Sequence, residues 1–131
     1  MKTESTRSIG KNGEDIACGF LEKSGYKITA RNYYAGHCEI DIICENEKYL
    51  VFAEVKARSA SGAQKKYGRP ARAVNKAKRQ NIVMAAKEYV KEHPTDKFLR
   101  LDVIEILKSR DETGKDNYLI NHMTGAFGAE G

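Results

Sequence analysis

The sequence predicts a mixed α/β domain in which helices flank a central sheet. Two stretches carry apolar residues at helical spacing, and several short runs are rich in β-branched and aromatic residues. Their order is helix, three strands, helix, and then one or two strands. At 131 residues, with 40% hydrophobic and 31% charged residues, the chain is expected to form one globular domain over residues 1–131. Residues 1–9 and 124–131 are expected to be flexible tails.

The first helix is predicted to begin after Asn12, a favourable N-cap residue, and to end at Gly25. Its apolar face would consist of Ile16, Ala17, Phe20 and Leu21. A strand is predicted over Tyr26–Tyr34. The Ala35-Gly36 turn would then lead into the next strand.

The second helix is predicted over Ala71–Glu92, after Pro70. Its apolar side would consist of Val74, Ala77, Ile82, Ala85, Ala86 and Tyr89. Lys78 falls in the middle of this side, so it either extends outward to water or points to a carboxylate cluster or a bound phosphate. Strands over Phe98–Leu107 and Tyr118–Met123 complete the prediction.

Charged residues interrupt the two strands in the middle of the chain, Cys38–Ile43 and Lys48–Lys56. Because strand side chains alternate between faces, Glu39 and Asp41 are expected to lie on the same face of their strand. Glu54 and Lys56 are likewise expected to share a face of theirs. Pairing of the two strands would bring three carboxylates and an ammonium together. This is the pattern of a metal site.

Asp41 and Glu54 supply the hard oxygen ligands that Mg²⁺ or Mn²⁺ prefers, with water and phosphate oxygens completing the coordination. Lys56 would then orient the attacking water or stabilise developing charge. A pair of strand-end salt bridges is the structural alternative. Glu14 lies in the first turn of the predicted first helix, where interaction with the helix dipole would also explain an acid.

The segment from Lys56 to Lys87 contains ten basic residues and no Asp or Glu, whereas the rest of the chain is mildly acidic. A solvated helix face usually mixes both signs, so this block favours a polyanion such as nucleic acid. The predicted nucleic-acid-binding residues are Arg58, Lys65, Lys66, Arg69, Arg72, Lys76, Lys78 and Arg79.

The three cysteines form no CxxC pair, which predicts reduced thiols and a cytoplasmic location. Cys38 and Cys44 have the same parity and are expected to pack on the face opposite Asp41. No apolar run approaches the roughly 20 residues of a membrane span, so a membrane association is not expected.

Several motifs together resemble the YraN-like family of bacterial proteins, which is related to archaeal Holliday-junction resolvases and to the PD-(D/E)xK nuclease superfamily. The matching residues are Gly13-Glu14, Arg31-Asn32, Glu39–Ile43, Val51–Arg58, the Lys78 helix and Arg100–Val103. The resemblance covers about Gly10 to Phe127. It implies a restriction-endonuclease-like fold with an αβββαβ core.

The same resemblance implies that Asp41, Glu54 and Lys56 form the catalytic triplet and that Glu14 lies near the metal. It implies Mg²⁺ or Mn²⁺ as cofactor, branched or structured DNA as partner, with RNA as another candidate, and a homodimer. It assigns no role to Glu39, Lys78 or Asp102. The predicted function is therefore a metal-dependent nuclease acting on structured or branched DNA.

Two other functions remain open. One is a nucleic-acid-binding module on the same fold without turnover, and the other is an interaction protein whose acid cluster is purely structural.

Overall fold

A computed structural model of the protein describes residues 6–59 and 76–126, with side chains from residue 13 onward. The elements follow the predicted αβββαβ order, with one further strand at the end. They are α1 (Thr6–Lys23), β1 (Lys27–Ala35), β2 (Cys38–Glu45), β3 (Tyr49–Ser59), α2 (Lys76–Glu92), β4 (Phe98–Arg110) and β5 (Asp116–Met123).

The five strands form one mixed sheet in the order β1-β2-β3-β4-β5. β3 and β4 are parallel, and the other neighbours are antiparallel. Parallel neighbours need a crossover connection, and α2 lies in the segment that joins β3 to β4. β3 is therefore the central strand, with an antiparallel neighbour on one side and a parallel one on the other.

The two helices cover opposite faces of this sheet. α1 packs through Ala17 and Leu21 on a cluster that includes Ile42, Val51 and Ile104. The cluster on the other face joins α2 to the sheet through Ile82, Val83, Ala85, Ala86, Ile40 and Phe52. The predicted architecture, a central sheet between helices, is thus confirmed.

The expectation that Cys38 and Cys44 share a face is wrong. Cys38 and Ile40 pack in the cluster against α2, whereas Ile42 and Cys44 pack in the cluster against α1. The alternation of β2 therefore changes sides at Asp41. All three cysteines are buried free thiols, as predicted.

The neighbouring strand changes side at the same place. Asn32 in β1 lies opposite Asp41 and has a φ of 52°, in the left-handed region that asparagine tolerates better than most residues. The two strands thus distort together, and Asp41 sits at the distortion.

α1 ends as predicted but begins earlier. Gly25 has a φ of 98°, its N–H donates to the Glu22 carbonyl, and the N–H of Tyr26 donates to the Leu21 carbonyl, which is the Schellman arrangement. Because α1 starts at Thr6, Asn12 lies inside the helix and is not its N-cap. Residues 6–9 of the predicted flexible tail are helical.

Other boundaries shift by a few residues. β3 continues to Ser59 rather than ending at Lys56, and the last strand begins at Asp116 rather than Tyr118. The start predicted for α2, at Ala71, lies outside the described residues. Within α2, Ala77 is exposed rather than part of the apolar side, and Val83 is buried instead. No helix in the described part of the chain is both long and apolar enough to cross a bilayer.

A buried ion-pair network on the α1 side fixes β4 to its surroundings. Asp102 is fully buried and accepts two hydrogen bonds of 2.9 Å from Arg100 and one of 3.0 Å from the Gly125 N–H. Its Oδ2 atom also lies 2.7 Å from Nε2 of His122. Arg100 also donates to the Tyr26 hydroxyl. Burial alone would raise the pKa of Asp102, but these hydrogen bonds outweigh it and lower the pKa.

The network also holds the end of the described chain. Besides the bond from Gly125 to Asp102, the N–H of Ala126 donates to the Leu101 carbonyl. Residues 124–126, expected at the start of a flexible tail, are therefore anchored to the sheet. Residues 127–131 lie outside the description.

Replacing Gly13 should destabilise the fold, because α1 approaches β3 closely there. A Cβ at this position would lie 2.7 Å from the Cβ of Ala57. We expect Gly13→Ala to lower the free energy of unfolding by about 1–3 kcal/mol, measured by urea denaturation. The control is Gly19→Ala in the same helix, where nothing lies within 4 Å of an added Cβ. This substitution should raise stability by about 0.5–1 kcal/mol, and equal effects of the two would contradict the close approach.

Replacing Asp102 should destabilise the fold more strongly. Asp102→Asn leaves the Arg100 side chain, which is 15% exposed, without its carboxylate. Unpairing a buried charge costs about 3–5 kcal/mol, which urea denaturation would show. Asp116→Asn is the matched control, since Asp116 pairs with Lys108 and Arg110 at the surface. Its loss should cost less than about 1 kcal/mol.

Candidate active site

The site forms where β2 and β3 stop pairing. Their last paired residues are Ile42 and Ala53, and Asp41 and Glu54 come directly beyond. There the Oδ2 atom of Asp41 accepts a hydrogen bond of 2.8 Å from the Val55 N–H. The carboxylate thus takes a backbone donor of β3 where the regular ladder has ended, which holds it beside Glu54.

Asp41 lies in an environment that disfavours its negative charge. Burial raises its pKa most, the charge of Glu54 raises it further, and the hydrogen bond from Val55 opposes both. The pKa rises from an ordinary value of 3.8 to about 7. A carboxyl group that changes charge near neutral pH in a polar cluster is typical of a functional site.

Glu54 is a buried carboxylate with unequal oxygens. Its side chain is 5% exposed, and Oε2 lies 3.0 Å from the ammonium of Lys78 and 3.9 Å from that of Lys56. Oε1 is buried, and within the described part of the chain it has no hydrogen-bond partner. Buried polar atoms are normally paired, so this oxygen marks a place for a further donor or cation.

Lys78 therefore points to the carboxylates, which is one of the two placements predicted for it. Partial burial would lower its pKa, but the hydrogen bond and charge of Glu54 outweigh burial and raise it. Lys78 remains an ammonium while it faces Glu54. It joins α2 to the central strand directly at the site.

Glu14 and Glu39 make other contacts than Asp41 and Glu54 do, although both belong to the predicted acidic cluster. Glu14 lies 3.7 Å from Arg31, although its charge contributes to the raised pKa of Asp41. Glu39 lies opposite Tyr34 in β1, and its charge raises the pKa of that tyrosine and contributes to the raised pKa of Asp41. In residues 13–59 and 76–126, no three His, Cys, Asp or Glu side chains are arranged to hold one ion. Asp41 and Glu54 are the two carboxylates that lie directly beyond the β2–β3 pairing, and Glu14 and Glu39 act on Asp41 through their charges.

These two carboxylates fit the metal that the sequence predicts. Mg²⁺ and Mn²⁺ prefer oxygen ligands, and protein sites commonly provide one or two carboxylates, with water and substrate phosphates as the other ligands. The unpartnered Oε1 of Glu54 is the oxygen in this structure that such an ion would satisfy. Asp41 would provide the second carboxylate.

Four of the eight predicted nucleic-acid-binding residues lie in the described part of the chain. Arg58 is near the end of β3, and Lys76, Lys78 and Arg79 are in the first described turn of α2. Lys76 is exposed, and Lys78 reaches Glu54, so this turn lies next to the carboxylates. The other four, Lys65, Lys66, Arg69 and Arg72, lie outside the described residues.

Sequence reasoning did not single out the buried Glu105 as a site residue. It is 6% exposed, pairs in register with Lys56 of β3, and accepts a hydrogen bond of 3.4 Å from Asn121. A charge between the apolar pairs Val103-Ile104 and Ile106-Leu107 was the available signal. His122 gave no such signal, because its partner Asp102 is 20 residues away and lies on another strand.

The fold and this site define a mixed α/β protein with two carboxylates and two lysines gathered where its central strand leaves its neighbour. Residues 13–106 match the model of a family described as Uncharacterised protein family UPF0102. The chain belongs to this family, which is the YraN-like family identified from the motifs above.

Full-length relatives agree with this assignment. A UPF0102 protein of Flavobacterium psychrophilum is 40% identical over 119 residues, which cover 91% of this chain and 92% of the relative. Another, of Chlorobium phaeobacteroides, is 40% identical over 124 residues, which cover 93% and 94% of the two chains. The similarity thus extends beyond the site motifs to nearly the whole chain.

The raised pKa of Asp41 makes the stability of the metal-free protein depend on pH. Between pH 4 and 7 the folded chain holds a proton on Asp41 that the unfolded chain releases. The free energy of unfolding therefore falls as the pH rises from about 4 through about 7. Asp41→Asn removes the ionisation. With EDTA present, the free energy of unfolding of this variant, relative to that of the wild type, should rise by up to about 4 kcal/mol from pH 4 to pH 8, as measured by urea denaturation.

Asp96→Asn is the matched control, because Asp96 is an exposed aspartate between α2 and β4. It should leave the pH dependence of the wild type unchanged. A stability difference between Asp41→Asn and the wild type that stays constant from pH 4 to pH 8 would contradict the assignment of the raised pKa.

Proposed function

We propose that the protein is a Mg²⁺- or Mn²⁺-dependent nuclease that hydrolyses phosphodiester bonds in structured or branched DNA. The observation that carries the proposal is the buried Glu54, beside Asp41 and two residues before Lys56, with one oxygen that has no hydrogen-bond partner among the described residues. The resemblance of these residues to the catalytic triplet of the PD-(D/E)xK nucleases supports it. A cytoplasmic homodimer is the proposed active form.

In this mechanism Asp41 and Glu54 hold the ion at the end of the paired strands. The bound ion would polarise the phosphorus centre and lower the pKa of a water ligand. Lys56 projects on the same strand face as Glu54, so its ammonium orients the attacking water or stabilises the negative charge that develops on the phosphate. Asp41 must lose its proton to serve as a metal ligand, and this requirement favours the reaction at neutral and higher pH.

The basic residues on α2 provide the contact with the substrate backbone. Lys76 and Arg79 lie within one turn of Lys78, and the segment from Lys56 to Lys87 has no Asp or Glu to offset them. Cationic side chains of this kind contact phosphates without reading base sequence. The chain has no tryptophan, which favours recognition of the backbone and of DNA shape over stacking on single-stranded bases.

Cleavage assays with labelled four-way junctions, flaps and duplexes in Mn²⁺ test the proposal. We expect cleavage of at least one branched substrate, and a rate loss of about 100-fold or more in Asp41→Asn, Glu54→Gln and Lys56→Ala. Glu45→Gln should keep its activity, because Glu45 pairs with Lys97 at the other end of β2. If no substrate is cleaved in a manner that depends on Asp41, the nuclease proposal fails.

One observation favours the alternative of a nucleic-acid-binding module without turnover. Lys78 already lies 3.0 Å from Glu54, so an ammonium offsets this carboxylate without a metal. That alternative predicts tight, salt-sensitive DNA binding without cleavage, and binding that Asp41→Ala leaves unchanged. Measuring affinity and cleavage on the same labelled junction separates the two functions.

A further inference from the structure

Lys78 combines two features that belong to different functions. It lies in the basic turn of α2 that is suited to DNA phosphates, yet its ammonium is held 3.0 Å from the buried Oε2 of Glu54. An ammonium that neutralises an internal carboxylate is less available to a phosphate. The two contacts therefore compete for one side chain.

We propose that Lys78 is a displaceable counter-ion of Glu54, which a divalent metal ion releases to bind the DNA backbone. This inference rests on the proposed metal site at Asp41 and Glu54. It adds to the proposed function an order of events, in which metal binding prepares the protein for its substrate.

The burial of Glu54 explains why a counter-ion is needed before the metal binds. A carboxylate that is 5% exposed and unpaired is costly, and removing one partner of a buried pair usually destabilises a protein. A divalent cation supplies the same compensation with twice the charge. Lys78 on Oε2 and an ion on Oε1 would thus compensate the same negative charge, and their positive charges would repel each other across one carboxylate.

The exposure of Lys78 explains why it, rather than Lys56, is the displaceable partner. The Lys78 side chain is 44% exposed and lies 3.0 Å from Glu54, whereas that of Lys56 is 22% exposed and lies 3.9 Å away. A half-exposed lysine on a flexible four-carbon stem can turn to solvent without disturbing the core. The less exposed Lys56 stays beside the carboxylate and remains with the reacting groups.

The sequence around Lys78 explains where it goes after release. From Lys56 to Lys87 there is no Asp or Glu that could take over the ion pair within its own segment. Its neighbours Lys76 and Arg79 are cationic as well, so all three favour an external polyanion. A DNA phosphate is the anion that the proposed function brings there.

The first test measures Mn²⁺ affinity without DNA, by electron paramagnetic resonance of the free ion. We expect Lys78→Gln to bind Mn²⁺ about five- to tenfold more tightly than the wild type, because a repelling charge and a competitor are removed. Lys87→Gln, an exposed lysine farther along α2, should match the wild type within about twofold. Unchanged or weaker Mn²⁺ binding by Lys78→Gln, or no Mn²⁺ binding by the wild type, would overturn the inference.

The second test measures affinity for a labelled four-way junction by fluorescence anisotropy, in EDTA and in Ca²⁺ as a probe ion. The affinity of Lys78→Gln for the junction should fall less than about twofold in EDTA and about fivefold or more in Ca²⁺, relative to the wild type. Lys76→Gln, the matched variant in the same turn, should lose the same factor in both conditions. Equal losses for Lys78→Gln in the two conditions would show that metal binding does not release this lysine.

Circular dichroism melting shows whether each variant is folded, and Lys78→Arg serves as a second variant that keeps the positive charge. It should bind Mn²⁺ like the wild type, and tighter binding by Lys78→Arg would contradict competition by charge. The two proposals fail separately. If the protein cleaves DNA but the Lys78 variants show neither effect, only the counter-ion proposal is rejected. If both Lys78 effects are found but no substrate is cleaved, only the nuclease proposal is rejected.

Discussion

A carboxylate buried in the middle of the central strand, where β2 stops pairing with it, imposes the main constraint on this protein. Glu54 is 5% exposed, and every group near it reflects its charge. Lys78 reaches it from α2, Lys56 lies beside it on the same strand, and the pKa of Asp41 rises partly because of it. Since α2 packs chiefly on β1 and β2, its ion pair with Glu54 also ties this helix to the centre of the sheet. One buried charge thus affects two lysines and the pKa of Asp41, and its ion pair adds to the apolar packing that holds α2 on the sheet.

The distortion of β1 and β2 makes that geometry possible. The left-handed Asn32 stands opposite Asp41, and the side-chain alternation of β2 changes there. Beyond this point β2 and β3 no longer pair, so a backbone donor of β3, the Val55 N–H, is free to bond with the Asp41 carboxylate. Irregularities of this kind are often found next to active sites, where they redirect side chains that a regular strand would place elsewhere. Here the irregularity brings a second acid to the buried one.

The protein treats its two buried acidic clusters in opposite ways. Asp102, on the α1 side, has its oxygens satisfied by Arg100, His122 and a backbone N–H, and its pKa is lowered. At the candidate site, an oxygen of Glu54 has no hydrogen-bond partner in residues 13–59 and 76–126, and the pKa of Asp41 is raised. A fully satisfied network stabilises a fold, whereas an incompletely satisfied one marks a place where a ligand can contribute. This contrast distinguishes Asp102, whose charge is satisfied within the fold, from the candidate site at Asp41 and Glu54.

Much of the fold and part of the site could be predicted from the sequence. The αβββαβ order, the Gly25 helix end and the placement of Asp41 and Glu54 on neighbouring strands follow from local pattern, because periodicity, turn residues and charges in apolar strands are properties of short segments. Two features were decided by tertiary structure: the change of face at Asp41 and the choice of Glu54 as the partner of Lys78. Each depends on how distant strands and helices meet. Strict alternation could not reveal a distortion shared by two strands, nor which carboxylate a helical lysine would reach.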